Sequence, residues 1–448
     1  MKLRRELGVP DLVLFNTAAV VGIRWLAAAA HIGPGSLLLW VSAAALFFVP
    51  CAMAVAGLAR RFPAEGGIYI WTREACGEWH GFFCAWCYWL NNFFYLPSLA
   101  LAGVTMALTS LIGEAGAERA GQAGVITAAA LALLWGATAA NLAGLRIGKW
   151  LGNIGGAATY LAAALLVAAG LAAWMTRGSA TPIELMPRLD AAKLNFWPQI
   201  AFAFGGLELG AVLGGEIRDP ERAVPRAAWW SGGAIALFYS AGTLALLALV
   251  PAGEISAVSG LAQAGEAAGR ALGSGAVALV LAALVGAGIA GQLNTWMGGV
   301  ARLPMVLGAD HYLPARFAAV HPRWGSPWQA LLWQAAACSF FLVLMQAGES
   351  LRTGYQLLVD MMVITYFIPF VYLFAAAWRL AGARWTAAAG LAVTLAALSL
   401  SFVPPGEVAS AWLFEAKLIG GSLLVLGVAR WWFLRSSGSR DTGRRKEA

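Results

Sequence analysis

The chain has 448 residues, of which 60% are hydrophobic and 12% are charged. A soluble globular protein carries about 25% charged residues, so this composition excludes an ordinary soluble domain and indicates a polytopic membrane protein. A net charge of +8 could suggest a nucleic-acid partner. However, the basic residues lie in short segments between apolar runs, where membrane topology explains them better, and no nucleic-acid binding is predicted.

Apolar windows of about twenty residues recur along the chain, each long enough to cross about 30 Å of hydrocarbon. The basic start, MKLRRELGVPD, is interpreted as the cytosolic beginning of the first span and not as a removed signal. The windows predict an all-α polytopic membrane protein with twelve transmembrane helices, near 12–32, 36–59, 81–111, 122–143, 150–174, 197–216, 228–250, 273–301, 327–347, 354–378, 384–403 and 409–433.

The basic residues are distributed unequally between the two sides of this predicted topology. Cytoplasmic loops are enriched in Lys and Arg, and here most of the 30 basic residues share a side with the N-terminus. The pattern therefore predicts a multi-pass plasma-membrane protein with both termini cytoplasmic. The tail 435–448 is predicted to be disordered. The basic residues left on the outer side are Arg119, Arg177, Arg188, Lys193, Arg270 and Arg352.

An arginine is the least expected residue of the first span. Arg24 follows Gly22 by two residues in the run VVGIRW. An ionisable group near mid-membrane is costly and by default indicates a functional site. Arg24 either pairs with a carboxylate such as Glu208 or Asp360, or faces a cavity. There it would be a counter-charge for a substrate carboxylate or a fixed replacement for a coupling cation.

The third span is crowded with aromatic residues and contains an amide pair, Asn91-Asn92. Aromatic residues in such a span most often pack, whereas mid-span amides need partners across helices or along a cavity. The preceding residues 68–80 are moderately amphipathic and predict a short helix at the membrane interface.

The stretch Asn195–Ala227 is the most informative part of the chain. Its first twenty or so residues are apolar, yet its middle holds Gly205-Gly206 and then Glu208. A glycine pair makes non-helical backbone cheap, and a broken helix at membrane depth survives only where it lines a protein cavity. The stretch therefore predicts a discontinuous helix at a solute site.

The first and sixth spans are both interrupted by glycine, and both carry an ionisable residue just past the interruption. They are five spans apart, and an odd number of spans per unit inserts the second copy upside down. This predicts a five-plus-five inverted repeat with discontinuous helices 1 and 6 and the site at the repeat interface. The predicted organisation is one transporter domain, 1–434, with repeats at 12–174 and 197–378 and two C-terminal helices at 384–434, followed by the tail.

Two later spans contribute further candidates. The tenth span holds Asp360 near its outer end, where it either joins proton coupling or simply lies near the outer water. The eighth span contains the polar or amphipathic residues Gln292, Asn294 and Trp296. It also contains glycines expected to permit close helix approach, which are Gly286, Gly288, Gly291, Gly298 and Gly299.

Three segments resemble the amino acid–polyamine–organocation permeases. They are PAEGGIYIWTREACGEWHGFFCAW, from the second span into the third, GGLELGAVLGGEIRDPERAVPRA in the sixth, and RLPMVLGADHYLPARFAAVHPRWGSPWQALL between the eighth and ninth. Together with the span count, the resemblance covers most of the chain. It implies the five-plus-five inverted-repeat fold shared with sodium-coupled neurotransmitter transporters, two further helices, and alternating access for amino acids or related amines.

The resemblance also implies roles for individual residues. The sixth-span glutamate, implicated in proton linkage or gating, falls on Glu208, and the aromatic lid falls on Phe202. By similarity to the arginine/agmatine exchangers, Trp296 and Asn92 join the site. The first span departs from the family's Gly-small-Gly pattern and resembles the glutamate/GABA-exchanger-like branch, whose first span also carries an arginine. The predicted substrate-binding residues are Val21, Gly22, Ile23, Arg24, Asn92, Phe202, Phe204, Gly205, Gly206, Gln292 and Trp296, with Glu208 and Asp360 for coupling or gating.

The combination of Arg24 with Glu208 favours a zwitterionic or acidic amino acid, or a related amine, carried by proton symport or exchange. Sodium coupling is less favoured because the eighth span lacks an adjacent Ser/Thr pair. One rival is a polyamine or cationic amino acid permease, which would want more acids in the cavity. Another is a non-transporting membrane sensor or subunit.

A membrane enzyme is the rival from a further class. No His-Asp constellation lies within a span, and no sizeable catalytic loop is present. Cys84 and Cys87 have redox or zinc spacing, but no second cysteine pair of that spacing accompanies them, so packing is favoured. No catalytic residue, metal or cofactor is predicted.

Overall fold

The computed structural model describes residues 5–112, 116, 118–119, 121–183, 196–256, 260–346, 351–402 and 411–447. Within these ranges the elements are helical, and the one strand-like contact is a parallel bridge between Leu7 and Ile217. The all-α class predicted from the sequence is confirmed.

Most of the helices follow the predicted apolar windows, whereas those at Gly260–Leu272 and Arg302–Ala309 lie outside them. The first group is α1 (Val9–Val20), α2 (Arg24–Ile32), α3 (Gly35–Arg61), α4 (Ile68–Cys76), α5 (Glu78–Ile112), α6 (Ala123–Leu142) and α7 (Leu145–Arg177). The second group is α8 (Trp197–Ala203), α9 (Leu207–Val212), α10 (Pro220–Leu249), α11 (Gly260–Leu272), α12 (Ala276–Val300), α13 (Arg302–Ala309), α14 (Trp328–Gln346), α15 (Leu351–Ala376), α16 (Arg384–Leu400) and α17 (Ala411–Glu447).

Seven helices in the described ranges are long and apolar enough to cross a membrane, and eight if the bent pair α1–α2 counts as one span. Shorter apolar stretches lie in α14 and α16. Large apolar side chains cover outward faces, with Trp230 73% exposed, Leu237 69% and Trp385 89%. A water-exposed surface rarely collects such residues, so these faces suit lipid.

Some element boundaries differ from those predicted. The helix predicted at 228–250 begins at Pro220, because Asp219 adopts a left-handed conformation (φ +51°) and proline is favoured in the first helical turn. The short helix predicted at 68–80 is α4, which ends at Gly77 (φ +96°). The tail was predicted to be disordered, and this is wrong, since α17 runs to Glu447.

A glycine contact allows two helices of the core to approach each other closely. Helix α12 packs against α5 and α7, and α10 packs against α1, α3 and α7. A Cβ placed on Gly155 of α7 would lie 2.5 Å from the Cα of Gly291 in α12, so the two backbones touch. Nothing lies within 4 Å of such an atom on Gly286, so the prediction of close approach is wrong for that residue.

Candidate functional site

The first interrupted helix changes direction at residues 21–23. Helix α1 ends at Val20, α2 begins at Arg24, and the two are bent by 48°. A Cβ on Gly22 would meet the Trp25 ring at 2.5 Å, so only glycine fits beneath that indole. The sequence predicted this interruption, and it exposes backbone groups that a continuous helix would pair internally.

The second interrupted helix is broken at residues 204–206. Helix α8 ends at Ala203 and α9 begins at Leu207. The two glycines of the pair are required for different reasons. Gly206 has φ +121°, a conformation that side chains rarely adopt, while a Cβ on Gly205 would lie 2.2 Å from the Tyr366 ring. The predicted discontinuity is therefore present and tightly specified.

One tyrosine joins the two interruptions. The Oη of Tyr239, in α10, accepts a hydrogen bond from the Gly22 N–H at 3.0 Å. The same hydroxyl lies 2.9 Å from the Val20 carbonyl and 2.8 Å from the Ala203 carbonyl. The ring is stacked on Trp40 with centroids 4.2 Å apart, which fixes the position of the hydroxyl. Tyr239 thus holds both breaks together through backbone atoms.

Glu208 is fully buried just after the second interruption. Its Oε1 accepts hydrogen bonds from the hydroxyls of Tyr88 at 2.7 Å and Tyr366 at 2.5 Å. Its Oε2 accepts the Gly206 N–H at 3.2 Å. No cation pairs with this carboxyl group among the described side chains, so three hydrogen-bond donors take the place of a counter-charge.

Arg24 is also buried, at 7% exposure, but its environment is different. Its Nη1 donates to the Ser98 hydroxyl at 2.9 Å, while Nε and Nη2 are shielded from solvent and have no hydrogen-bond partner. Its guanidinium carbon lies 4.8 Å from the Trp25 ring centroid and 5.4 Å from that of Tyr95. In the described part of the chain no carboxylate pairs with Arg24, so the predicted alternative of an Arg24–Glu208 pair is wrong.

Aromatic side chains fill the space between these two groups, and together we call them the aromatic layer. The Phe202 ring lies 4.8 Å from the Tyr366 ring and 5.8 Å from Trp25, measured between centroids. The Trp296 ring lies 5.0 Å from Tyr95. The aromatic layer therefore consists of Tyr88, Tyr95, Phe202, Trp296 and Tyr366, with Arg24 at one side and Glu208 at the other.

Two predicted residues of the eighth span reach the first break. The Trp296 Nε1 donates to the Ala19 carbonyl at 2.7 Å, and the Gln292 Nε2 approaches the same oxygen at 3.4 Å. Ala19 lies in the last turn of α1, where carbonyls lack intrahelical donors. Helix α12 therefore satisfies backbone that the interruption of α1 leaves open.

The remaining predicted residues lie in different environments, and not all of them face the aromatic layer. Asn92 donates to the Tyr88 carbonyl of its own helix at 2.9 Å, while its Oδ1 is buried without a partner. Phe204 turns away from the aromatic layer and packs on Trp40 and Phe48. Val21 and Ile23 are buried at the first break. Asp360 lies in α15, but its side chain falls outside what the structure describes.

Small cavities lie on both sides of the site. One, of about 10 Å³, is lined by Trp25, Trp40 and Ile200. The other, of about 30 Å³, is lined by apolar residues and by polar ones that include Lys149, Thr295 and Arg302. Neither of these two cavities is large enough for an amino acid.

The second cavity lies towards the N-terminal face, which is the side of the molecule that carries Leu7. The Arg302 Nη2 lies 3.1 and 3.2 Å from the two carboxyl oxygens of Glu216, and this ion pair is buried. The Gly215 N–H donates to the Oε2 of Glu65 at 2.8 Å, while Oε1 of Glu65 is shielded and has no partner. Two acids thus share one guanidinium here.

The pKa of Glu65 follows from this shortage of positive charge. The aliphatic part of the Glu65 side chain is partly exposed, but its carboxyl group is buried. This burial raises the pKa of the carboxyl group to about 8, and the negative charge of Glu216 contributes in the same direction. Arg302 and the Gly215 N–H offset only part of the increase. Glu65 therefore holds a proton over most of the physiological range while this arrangement persists.

The sequence pattern of the amino acid permease family matches residues 7–416 of this chain. The chain belongs to the amino acid permease family. The resemblance found in three sequence segments is confirmed, and the apolar helices are those of a multi-pass membrane protein.

Relatives of this amino acid permease are named as transporters. It is 27% identical to an uncharacterized transporter of Legionella pneumophila, covering 96% of this chain and 97% of the relative. It is 23% identical to a probable agmatine/putrescine antiporter of Lactococcus lactis, over 70% of this chain and 67% of the relative. It is 24% identical to a serine/threonine exchanger of Bacillus subtilis, over 71% of each chain. These relatives indicate a transporter that acts on small molecules.

Three tyrosines of this permease escaped the sequence analysis. Tyr88 and Tyr366 donate to Glu208, and Tyr239 joins the two interruptions. Each lies in an apolar segment rich in aromatic residues, where packing is the default interpretation. The available signal was the hydroxyl itself, because a buried phenolic group needs a hydrogen-bond partner and a buried carboxylate needs donors.

Proposed function

We propose that this permease is a secondary active transporter of zwitterionic or acidic amino acids, or related amines, by alternating access and driven by proton symport or exchange. The observation that carries the proposal is the pair of interrupted helices, with Arg24 and Glu208 held at opposite sides of the aromatic layer. Half-helices of this kind hold solutes at mid-membrane in many secondary transporters.

The proposed binding mode follows from charge. The α-carboxylate of the solute lies toward the N-terminal end of α2, where the helix dipole is positive, and a second carboxylate, in an acidic solute, lies toward Arg24. Its ammonium lies toward Glu208 and the Asn92 Oδ1, which is a buried acceptor without a partner. Phe202 and Trp296 move aside to admit the solute and close over it. Val21, Gly22, Ile23, Gly205, Gly206 and Gln292 contribute backbone and side-chain polar groups around it.

The proposed topology extends the helices described above. It has twelve spans in a five-plus-five inverted repeat at 12–174 and 197–378, with two further helices, in one transporter domain of the plasma membrane. Both termini are cytoplasmic in this proposal. Asp360 is retained as a second proposed coupling residue, in addition to Glu208.

Uptake into proteoliposomes tests the proposal. We expect labelled amino acids to accumulate in vesicles that contain the purified protein, and an imposed pH gradient to increase the initial rate. Glu208→Gln is expected to remove the stimulation by the gradient, because the amide cannot exchange a proton. Vesicles without protein give the background.

Flux of no amino acid or amine in a panel, from protein that remains folded by gel filtration, would contradict transport and favour a sensor. A polyamine or cationic amino acid permease is the second candidate, supported by the Lactococcus lactis relative's name. Preferential uptake of putrescine or arginine over glutamate would favour that candidate, although Arg24 opposes cations near the site.

A further inference from the structure

Arg24 retains an unusual amount of unused hydrogen-bonding capacity. A guanidinium has five N–H donors, and here the Ser98 hydroxyl accepts from Nη1 alone. The Nε and Nη2 atoms are shielded from water and have no partner. Polar atoms in such a position are rarely left unpaired in folded proteins, so each requires an explanation.

The geometry of the unused atoms identifies what they suit. Nε and Nη2 form one edge of the guanidinium, and their N–H bonds run parallel. A carboxylate accepts such a pair through both of its oxygens. A lysine has no such pair of parallel N–H donors. A chloride ion matches the pair less well than a carboxylate does, because chloride is a single acceptor atom and a carboxylate has two acceptor oxygens.

The protein itself compensates the charge of Arg24 only in part. Trp25 and Tyr95 present ring faces at 4.8 and 5.4 Å from the guanidinium carbon. Such contacts stabilise a cation less than a carboxylate does, and the cost of burying an unpaired charge is larger. An anionic partner from outside the chain would balance this charge.

The backbone cradle at the first interruption is partly occupied. The Gly22 N–H already donates to the Tyr239 Oη, so it cannot also bind a solute carboxylate unless that bond breaks. Glu208 does not cancel Arg24, because it lies beyond the aromatic layer and is satisfied by its own three donors. Among the side chains that the structure describes, none supplies a compensating negative charge on the Arg24 side.

We propose, on the basis of the proposed function, that Arg24 binds a carboxylate through Nε and Nη2 and makes this permease selective for dicarboxylic amino acids over their amide isosteres. A solute with a second carboxylate supplies the missing negative charge, whereas the corresponding amide has the same size and shape without the charge. Arg24 is thus a specificity-determining residue.

Matched acid and amide pairs test this inference. Thermal stabilisation of the purified protein is titrated with L-glutamate and L-glutamine, and with L-aspartate and L-asparagine, because a ligand stabilises the folded state by mass action. We expect wild-type protein to bind each acid more tightly than its amide by roughly 10-fold to 100-fold, as for hydrogen bonds to charged groups. Competition of the same four compounds in the uptake assay should give the same order.

Variants separate charge from geometry. Arg24→Gln should abolish the preference for the acid, and Arg24→Lys should retain part of it, since the charge stays but the parallel edge is lost. Ser98→Ala keeps Arg24 but removes its anchor, and should reduce the preference less than Arg24→Gln does. Arg177→Gln, at the exposed end of α7, is the matched control and should leave the ratio unchanged.

Equal affinity of wild-type protein for acid and amide would overturn the inference, and so would an unchanged ratio in Arg24→Gln. If neutral amino acids were transported without any preference for acids, the inference would fail and the proposed function would stand. If no amino acid bound or moved, both would fail. Should Arg24→Gln not fold, Arg24→Lys and Ser98→Ala still decide, because an unchanged ratio in both contradicts the role of Arg24.

Discussion

Tyr239 shows how one side chain can organise two interrupted helices. Its hydroxyl accepts from the Gly22 N–H and lies within hydrogen-bond distance of the Val20 and Ala203 carbonyls. A hydroxyl has one hydrogen to donate and two lone pairs, so it serves all three groups only by sharing that hydrogen. The breaks depend on this atom as much as on their glycines.

Removing that hydroxyl should destabilise the protein without changing the shape of the core. Tyr239→Phe leaves the buried Gly22 N–H without its acceptor, at a cost of about 1–3 kcal/mol. We expect a lower unfolding temperature for the purified variant, measured by intrinsic fluorescence in detergent. Tyr160→Phe is the control, since its hydroxyl meets only the Thr17 side chain and the residue is half-buried. An equal loss in both variants would contradict the special position of Tyr239.

Residues that are energetically unfavourable in a membrane-spanning helix could be predicted from the sequence. Gly22, the Gly205-Gly206 pair, Arg24 and Glu208 stood out because glycine and ionisable groups are unfavourable in an apolar helix. Their partners could not be predicted, since nothing in the pattern tells which of many tyrosines meets Glu208. The Arg24–Glu208 pair was one of the alternatives that charge alone allowed, and it is wrong because the aromatic layer separates the two residues.

At the scale of elements, the connections at the N-terminal face join helices that the sequence leaves far apart. The loop between α3 and α4 brings Glu65 to Gly215, and α13 brings Arg302 to Glu216. Most of the long helices were predicted from their apolar windows. Their ends depended on local conformations, such as the left-handed Asp219 before α10, which apolarity does not reveal.

The contacts at the N-terminal face depend on pH through Glu65. The pKa of its carboxyl group is raised from an ordinary 4.5 to about 8 where the group is buried, so the buried arrangement binds a proton that an open, hydrated arrangement releases. The stabilisation is therefore fully present below about pH 4.5 and is lost progressively as the pH rises through about 8. Low pH therefore stabilises the contacts around Glu65 at this face, and high pH weakens them.

Glu65→Gln should remove this dependence because an amide does not titrate. We expect the labelling rate of an engineered cysteine near residue 213 in the parent protein, divided by the rate in the glutamine variant, to increase between about pH 4.5 and about pH 8, because the ratio removes the pH dependence of the thiol itself. Glu254→Gln, in a short connection after α10, is the control. The same pH response in parent and Glu65→Gln proteins would show that another group controls the closure.

At the scale of the whole molecule, α7 and α12 form a contact between backbones. The Gly155 and Gly291 positions allow this crossing, and α12 in turn carries Gln292 and Trp296 to the end of α1. Helix-packing glycines were predicted in α12 from composition. Which of them lies at the crossing required the rotation of the helix, and that depends on every neighbour it packs against.

Two glycines of α12 provide a matched pair of substitutions. Gly291→Ala forces the helices apart and should cost about 1–3 kcal/mol, as overpacking does. Gly286→Ala meets open space and should be neutral or slightly stabilising, since alanine is the better helix former. The measurement is the temperature at which each purified variant loses its monodisperse gel-filtration peak. Equal temperatures for the two variants would contradict the described crossing.

The bridge between Leu7 and Ile217 has a consequence for how this side of the transporter is reached. The amides of Glu6 and Leu7 donate to the Glu216 carbonyl, and the amide of Arg218 donates to the Leu7 carbonyl. This narrow ribbon of main chain fastens the start of the polypeptide to the far end of the second interrupted helix. A conformational change that separates residues 216–218 from residues 6–7 must first break these hydrogen bonds. A tag or partner attached ahead of Glu6 is therefore expected to change how readily these hydrogen bonds break.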